Sequence, residues 1–163
     1  KLLQDRGLSF HCKFVGTESE IDSQGFEAKS KELGIERSVS YAGSLYGRDK
    51  ELCFEEADIF VFPTFYEHET FGLVNLEAMQ FSLPIVSTFE GGIPDVVEDG
   101  KTGFLVPGKE VKLLALKIEQ LIKDPALRQR MGEAGRNKYL QEFTLGIFEN
   151  RIVDIMKNEV CVK

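Results

Sequence analysis

The feature of this chain that most constrains its fold is a regular alternation of short apolar runs with amphipathic stretches. The apolar runs, each of strand length, occupy residues 10–16, 38–43, 58–63, 83–88 and 104–106. The stretches between them have helical spacing, and three more helical segments follow the last run. Strands that alternate with helices pair in parallel and are covered on both faces. The sequence therefore predicts an α/β fold, a parallel sheet with helices on both faces.

The size and charge of the chain exclude several classes of protein. Its 163 residues suffice for one domain of ordinary size with a buried core. With 42% hydrophobic and 29% charged residues, the composition is that of a globular protein and not of a disordered or collagen-like one. The formal net charge of −7 leaves no basic surface for counterion release. Nucleic acid is therefore not expected as a partner.

The number and spacing of the cysteines and the length of the apolar runs predict the cellular compartment of the protein. The three cysteines, Cys12, Cys53 and Cys161, are odd in number and far apart, without a Cys-x-x-Cys pair. This usage is typical of a reducing compartment and does not suit a zinc site. No apolar run approaches the roughly 20 residues of a membrane-spanning helix. We expect a cytoplasmic protein.

The first residues predict that upstream sequence belongs to the same fold. Residues 1–7, KLLQDRG, have the pattern of the last turns of an amphipathic helix that ends at Gly7. A helix of this kind normally follows a strand in an α/β fold. We therefore expect residues 1–163 to form a single domain whose first strand and loop are missing.

Several common catalytic motifs are incomplete or absent. Residues 103–110, GFLVPGKE, have the outline of a P-loop, but Glu110 stands where a Ser or Thr that binds Mg²⁺ is required, and we interpret FLV as a strand. The single glycine of FVGTESEID does not make a dinucleotide fingerprint. The sequence contains no Gly-x-Ser-x-Gly elbow and no Asp-x-Asp pair, and we expect His11 to be a hydrogen-bonded core residue. Hydrolase triads and metal-held nucleotide sugars are disfavoured.

A helix that begins near Gly72 is the strongest candidate for a binding site. Within FPTFYEHETFGLVNLEAMQFSLP, residues 62–84, a strand ends at Pro63, a polar and aromatic loop follows, and no large side chain blocks the first helical turn. The free N–H groups and positive dipole end of such a helix attract anions. Ligands of α/β proteins bind beyond the carboxyl ends of the strands. The sequence therefore predicts a diphosphate site here.

Two carboxylates flank this helix start. Glu77 falls within an apolar stripe of Val74, Ala78 and Phe81, where a charge is costly unless it is hydrogen bonded. A ribose joined to a phosphate at the helix start would bring two hydroxyl groups within reach of Glu77. Glu69, in the preceding loop, would accept hydrogen bonds from a donor sugar. A buried salt bridge or a capped backbone group for Glu77, and a solvated charge for Glu69, are the alternatives.

At these residues the sequence resembles the retaining glycosyltransferases of the GT-B fold, family 4, the glycosyl transferases group 1 family. The signature of that family is a Glu, seven residues and a second Glu, and here it reads ETFGLVNLEAM, Glu69 to Met79. Residues 91–107, GGIPDVVEDGKTGFLVP, are similar to the glycine-rich loop, helix and strand that follow in the family. The resemblance implies a Rossmann-like sheet, the nucleotide-binding C-terminal half of a GT-B enzyme.

The resemblance also implies a role for each site residue. Glu77 would bind the ribose, and Glu69, at the catalytic position, would face the donor sugar without attacking it. Backbone amides for the sugar and the phosphates would come from Thr70, Phe71, Gly72 and Leu73. The residues expected near the base are Gly16, Gly43, Ser44 and Leu45. Gly91 and Gly92 would shape the floor of the cleft or supply a left-handed turn.

The implied function is retaining transfer of a sugar from a nucleotide diphosphate sugar to a glycan, lipid-linked or small-molecule hydroxyl, as in polysaccharide biosynthesis. No cofactor and no metal are expected. The acceptor would bind through a missing N-terminal domain. The full enzyme would be able to associate peripherally with a membrane. Because the family's basic diphosphate-binding residues belong to the missing first loop, we expect this chain alone to bind donors weakly and to be inactive. The alternatives are a noncatalytic nucleotide-sugar or phosphate-binding module, a nucleotide-sugar epimerase relative and a flavodoxin-like signalling domain.

Overall fold

The chain divides into two compact units, Lys1–Glu56 and Ala57–Lys163. A computed structural model describes residues 1–18 and 20–160. The expectation of a single domain stays a prediction. Cys12 and Cys53 carry free thiols, and Cys161 lies outside the described residues. Across the described residues, every helix is too short or too polar to cross a membrane.

The first unit is built on a small parallel sheet. Its elements are α1 (Leu2–Asp5), β1 (Cys12–Phe14), α2 (Ser23–Glu32), β2 (Val39–Tyr41) and α3 (Gly47–Glu56). Strands β1 and β2 are parallel, with Cys12 opposite Val39. Helix α2 begins where the Asp22 side chain accepts the Gly25 N–H at 2.7 Å, an ordinary N-cap. Phe26 of α2 packs edge-on against Phe14 at 5.1 Å between ring centroids, which fixes this helix on the sheet.

The second unit is a larger parallel sheet with the candidate site helix. Its elements are β3 (Phe60–Phe62), α4 (Leu73–Gln80), β4 (Ile85–Thr88), α5 (Ile93–Val96), β5 (Gly103–Val106), α6 (Val111–Lys123), α7 (Pro125–Glu142) and α8 (Leu145–Val160). Strand β4 lies between β3 and β5, with Val86 opposite Val61 on one side and Phe104 on the other. Every residue of β4 and β5 is buried, as expected of parallel strands covered on both faces.

The core of the second unit joins the sheet to the helices that follow it. Val86 and Phe104 pack against Leu121 of α6 and Met131 of α7. Burying a large apolar side chain contributes about 1.5–3 kcal/mol. This cluster therefore holds β4, whose carboxyl end carries part of the candidate site.

The predicted α/β class is confirmed, and so is each predicted strand. The strand ends differ from the ends of the apolar runs by at most two residues. The FLV segment of the P-loop-like sequence belongs to β5, as interpreted. The predicted burial of His11 is wrong. Its Nε2 does form a hydrogen bond with Ser40 Oγ at 2.9 Å, but the residue is exposed because it precedes a strand at the edge of the small sheet.

Two buried glycines let α7 approach α4 closely. A Cβ atom at Gly132 would overlap the carbonyl oxygen of Ser82, in the turn after α4. A Cβ atom at Gly135, one turn further along, would lie 3.4 Å from Met79 Cγ, an ordinary van der Waals contact. At Gly132 the α7 backbone therefore contacts the backbone of Ser82 directly. At Gly135 there is room for a methyl group between the two helices.

Glu98 follows α5 and connects it to α7. Its carboxylate oxygens lie 2.7 Å from Lys101 Nζ and 3.4 Å from Lys138 Nζ. The hydrogen bond from Lys101, with a smaller contribution from Lys138, holds the pKa of Glu98 below its usual value. Lys138 Nζ also donates to the Asp95 carbonyl at 2.8 Å. A carboxyl pKa that is lowered on folding stabilises the folded chain at neutral pH, and this contribution is lost as the pH falls through the lowered pKa.

Gly132→Ala and Gly135→Ala form a matched pair on one helix. We expect Gly132→Ala to destabilise the chain by about 1–3 kcal/mol, because the new methyl group displaces the Ser82 backbone. Gly135→Ala should be neutral or stabilising by up to about 1 kcal/mol, since alanine favours the helix and the space accepts it. Urea unfolding of both variants measures the difference, and equal midpoints would contradict the close approach at Gly132.

Glu98→Gln tests the ion pairs that join α5 to α7. At pH 7 the variant should melt about 1–3 °C below the wild type, the usual size of a partly exposed ion pair. The difference should shrink once the pH falls below 4.5, the unfolded value of the carboxyl pKa. Glu133→Gln is the control, because the Glu133 carboxylate has a hydrogen bond from Gln129 and no cation partner among the described residues. A melting difference that stays constant with pH would refute the assignment.

Candidate functional site

Three loops meet at the carboxyl edge of the second sheet. They are the β3 loop (residues 63–72), the β4 loop (residues 89–92) and the β5 loop (residues 107–110). Thr88 Oγ1, at the end of β4, donates to the Thr64 carbonyl at 2.7 Å. A Cβ atom at Gly108 would lie 2.9 Å from Glu90 Oε1 and 3.2 Å from Phe65 Cβ. The loops are therefore in contact with one another at the edge where α/β proteins bind ligands.

The β4 loop lies directly against the backbone of the β3 loop. The Gly92 N–H donates to the Thr70 carbonyl at 2.7 Å. A Cβ atom at Gly91 would overlap the Glu69 carbonyl oxygen, and one at Gly92 would lie 2.8 Å from the Thr70 carbonyl oxygen. Gly91 also has a φ of +52°, the left-handed conformation that the sequence offered as one of its roles. Both positions require glycine for the close approach.

Helix α4 begins with a left-handed residue whose N–H is already engaged. Gly72, the N-cap, has φ 62° and ψ 52°. Glu69 Oε1 accepts the N–H of Gly72 at 3.1 Å and the N–H of Thr70 at 3.2 Å. A carboxylate is favoured at this position because the helix dipole and unpaired N–H groups attract negative charge. The Glu69 side chain therefore acts as an internal anion at the site predicted for an external one.

Other amides of this first turn remain open. In the part of the chain that the structure describes, the N–H groups of Phe71, Leu73 and Val74 have no hydrogen-bond acceptor. Of the four amides expected to contact a donor, those of Phe71 and Leu73 are therefore open, and those of Thr70 and Gly72 are held by Glu69.

Asn75 is the buried polar residue that sequence reasoning missed. The predicted apolar stripe was Val74, Glu77, Ala78 and Phe81. Of these Ala78 is buried, as predicted, whereas the other three are half-buried, and the further buried residues of α4 are Asn75 and Met79. Asn75 is fully buried, and neither its Nδ2 nor its Oδ1 has a hydrogen-bond partner within the described ranges. The helix is turned this way because α4 packs on α7 and because Gly72 lies against Ile93 of α5. The available sequence signal for Asn75 was its position three residues after Gly72, the N-cap of α4.

Glu77 lies half-buried on α4, one turn after the helix start. Leu73, which precedes it by four residues and so shares its side of the helix, is 66% exposed. The side of α4 that carries Glu77 is therefore open to solvent at its N-terminal end. The ribose-binding role of Glu77 stays a prediction.

The residues expected near the base lie together in the first unit, at the carboxyl ends of β1 and β2. The Gly16 N–H donates to the Gly43 carbonyl at 2.9 Å, and the Tyr41 hydroxyl donates to the Gly16 carbonyl at 2.7 Å. Ser44 Oγ forms a hydrogen bond with Thr17 Oγ1 at 3.0 Å. Leu45 follows directly and is half-buried. The remaining site residues belong to the second unit.

Charge in the candidate site is mainly acidic, with one cation that the sequence did not single out. Lys109, in the β5 loop, places its Nζ 4.9 Å from the centroid of the Phe65 ring. Among the residues the structure describes, no group of three or more His, Cys, Asp or Glu is arranged to hold a metal ion. The expectation of no metal and no cofactor stays a prediction.

The chain is similar to known sugar transferases. The family Glycosyl transferases group 1 matches residues 1–138. The capsular polysaccharide biosynthesis glycosyltransferase CapM of Staphylococcus aureus is 32% identical over 149 residues, which cover 88% of this chain and 37% of CapM. The alpha-maltose-1-phosphate synthase of Mycobacterium tuberculosis is 40% identical over 112 residues, or 64% of this chain and 28% of that enzyme. The chain thus spans about a third of the length of these relatives.

Solved structures share the fold. A glycosyltransferase from Rickettsia africae superposes with a TM-score of 0.84 at 22% identity, over 99% of this chain and 43% of that one. Anabaena HepE, solved in complex with UDP and glucose, superposes with a TM-score of 0.80 at 23% identity, over 91% of this chain and 40% of that one. The predicted fold is confirmed.

Gly91→Ala and Gly100→Ala test the close contact between the β3 and β4 loops. Both glycines have left-handed φ values, +52° and +76°, but only the Cβ atom at Gly91 would meet other atoms. Each substitution should lose stability from backbone strain of about 1 kcal/mol, and Gly91→Ala should lose a further 1–3 kcal/mol or so from the displaced Glu69 carbonyl. Thermal unfolding measures both variants. Equal losses would show that the loops do not depend on this contact.

Proposed function

The chain belongs to the Glycosyl transferases group 1 family, and on that premise we propose that it forms the donor-binding part of a retaining glycosyltransferase. The donor would be a nucleotide diphosphate sugar. The acceptor would be a hydroxyl group of a glycan, a lipid-linked saccharide or a small molecule, bound through parts of the protein beyond this chain. Two similar proteins support this substrate class. CapM is described as a capsular polysaccharide biosynthesis glycosyltransferase, and HepE was solved in complex with UDP and glucose.

The observation that carries the proposal is the first turn of α4. The open N–H groups of Phe71, Leu73 and Val74 surround a left-handed Gly72, which is fixed from behind by Ile93. Open amides at the positive end of a helix bind phosphate oxygens. In the proposed complex the diphosphate lies over this turn, and the amides stabilise the charge that develops on the leaving diphosphate.

The proposed site gains little from basic residues. One charge at a helix end contributes about 0.3–1 kcal/mol, and up to about 2 kcal/mol in a partly buried site. Lys109 is the cation at this sheet edge, and it stands over the exposed Phe65 ring. For this reason we propose that the chain alone binds donors weakly and lacks activity, and that the longer protein supplies further positive charge.

Glu69 and Glu77 would hold the two sugars of the donor. Glu77 lies about 7–8 Å along the helix axis from Gly72, at about 1.5 Å per residue, so a ribose attached to the diphosphate would reach its carboxylate. Glu69 would turn from the amides of Thr70 and Gly72 towards the hydroxyls of the transferred sugar, positioning that sugar without attacking it. Gly16, Gly43, Ser44 and Leu45 would face the base.

Glu77→Ala tests this proposal in the longest natural form of the protein that carries this chain. A screen of nucleoside diphosphate sugars by thermal stabilisation first identifies the donor, since a ligand that binds the native state raises the melting temperature. The variant should then raise the donor KM about 10- to 100-fold with a smaller change in kcat, because hydrogen bonds to a charged group are worth about 1.5–3 kcal/mol.

The control for this measurement is Glu133→Ala, an exposed glutamate on α7, which should leave the donor KM unchanged. An unchanged KM in Glu77→Ala would remove the ribose assignment. A failure of every nucleoside diphosphate sugar to raise the melting temperature would instead favour a noncatalytic phosphate-binding module.

A further inference from the structure

Two side chains that carry an acceptor oxygen lie next to Gly72. The N–H of Gly72 donates to Glu69 Oε1 at 3.1 Å. The terminal amide of Asn75 also packs against Gly72, since a Cβ atom at Gly72 would lie 2.7 Å from Asn75 Nδ2. Asn75 is fully buried, and its Nδ2 and Oδ1 are both without a partner in the described chain. One acceptor is therefore in use and the other is idle.

The position of Asn75 on α4 suits it to cap the helix. With Gly72 as N-cap, Asn75 is the third residue of the helix, and its own N–H donates to the Gly72 carbonyl at 2.8 Å. An acidic or amide side chain at this third position reaches back to the N–H of the N-cap in a capping box. A half-turn of the terminal amide would bring Asn75 Oδ1 to the place that Nδ2 now holds.

Departure of Glu69 would create a need for such an acceptor. Thr70 is exposed, so its N–H is able to turn to water or to a ligand, but Gly72 is buried. A buried N–H that loses its acceptor carries the full cost of desolvation. Because water does not reach Gly72, its N–H needs a partner from within the protein or from the donor itself.

We propose that Glu69 and Asn75 are alternative acceptors for the N–H of Gly72. When the hydroxyl groups of a donor sugar draw the Glu69 carboxylate away, Asn75 Oδ1 accepts the N–H and keeps α4 capped. Asn75 is thus a positioning residue that allows Glu69 to move, and the amides of Thr70, Phe71 and Leu73 are left for the donor. The movement of Glu69 towards a donor sugar rests on the proposed function, whereas the ability of Asn75 to replace Glu69 as acceptor does not.

Amide hydrogen exchange at Gly72 tests the exchange of acceptors without any nucleotide. Glu69→Ala removes the first acceptor, and Asn75→Leu replaces the second by an apolar side chain of similar size. Each single variant should keep the Gly72 N–H protected, because the other acceptor is present. The double variant should lose that protection, with exchange at Gly72 at least about tenfold faster than in either single variant.

A double-mutant cycle on thermal stability gives an independent measurement. The melting temperature of the double variant should fall about 2–4 °C further than the sum of the two single changes, since only the double variant leaves the N–H without an acceptor. Asn75→Asp, which keeps an acceptor oxygen, should restore protection of Gly72 in the Glu69→Ala background. If Glu69→Ala with Asn75→Leu does not fold, Asn75→Ala replaces Asn75→Leu in the cycle, because it also removes the acceptor oxygen and adds no bulk.

The N–H groups of Ala78 and Met79, further along α4, serve as internal controls, because fraying of the whole helix would speed their exchange as well. Equal exchange rates at Gly72 in Glu69→Ala and in the double variant, or additive melting shifts, would overturn the proposal.

A titration with UDP-glucose separates this inference from the proposed function. Asn75→Leu should weaken binding about tenfold, and unchanged binding by Asn75→Leu beside weakened binding by Glu77→Ala would overturn the inference while leaving the donor site in place.

Discussion

The close approach of two loop backbones, residues 91–92 against residues 69–70, is the constraint on which the candidate site depends. Neither Gly91 nor Gly92 has room for a side chain, and the Gly92 N–H ties the β4 loop to the Thr70 carbonyl. The β3 loop is thereby held at the edge of the sheet from one side, while Thr88 Oγ1 holds its beginning at Thr64. Because the loop is fixed at both places, α4 begins at a defined point and in a defined direction. The open amides of its first turn are a consequence of that anchoring.

In the first turn of α4, the proposed anion site, two of the N–H groups are held by the protein itself. Glu69 lies with its carboxylate on two of the amides, as a helix N-terminus without a side-chain N-cap favours. In the proposed complex an external phosphate or sugar would compete with this carboxylate. The proposed site would then discriminate by geometry more than by charge, because neutral amides at fixed positions would provide most of its attraction.

The residues predicted to bind a donor belong to two compact units, each with its own parallel sheet. The residues assigned to the base are held by hydrogen bonds at the ends of β1 and β2. Those assigned to sugar and phosphate depend on the sheet of β3, β4 and β5 and on the packing of α4 against α7 at Gly132. The relatives are about two and a half times as long as this chain, so in those relatives the corresponding region is part of a larger protein.

The sequence by itself determined the α/β class, the strands and the start of α4, because apolar periodicity and glycine spacing are local properties that the chain carries into any fold. It also identified Glu69 and Glu77 as the carboxylates beside that helix start. Only the tertiary structure decided which side of α4 is buried, because packing against α7 and α5 buries Asn75 and Met79 beside Ala78 and leaves Val74 and Phe81 of the predicted apolar stripe half-buried. The exposure of His11, the contact of Lys109 with Phe65 and the engagement of Gly72 by Glu69 were likewise beyond sequence reasoning. Each depends on where a neighbouring segment lies, and that is set by packing between elements distant in the chain.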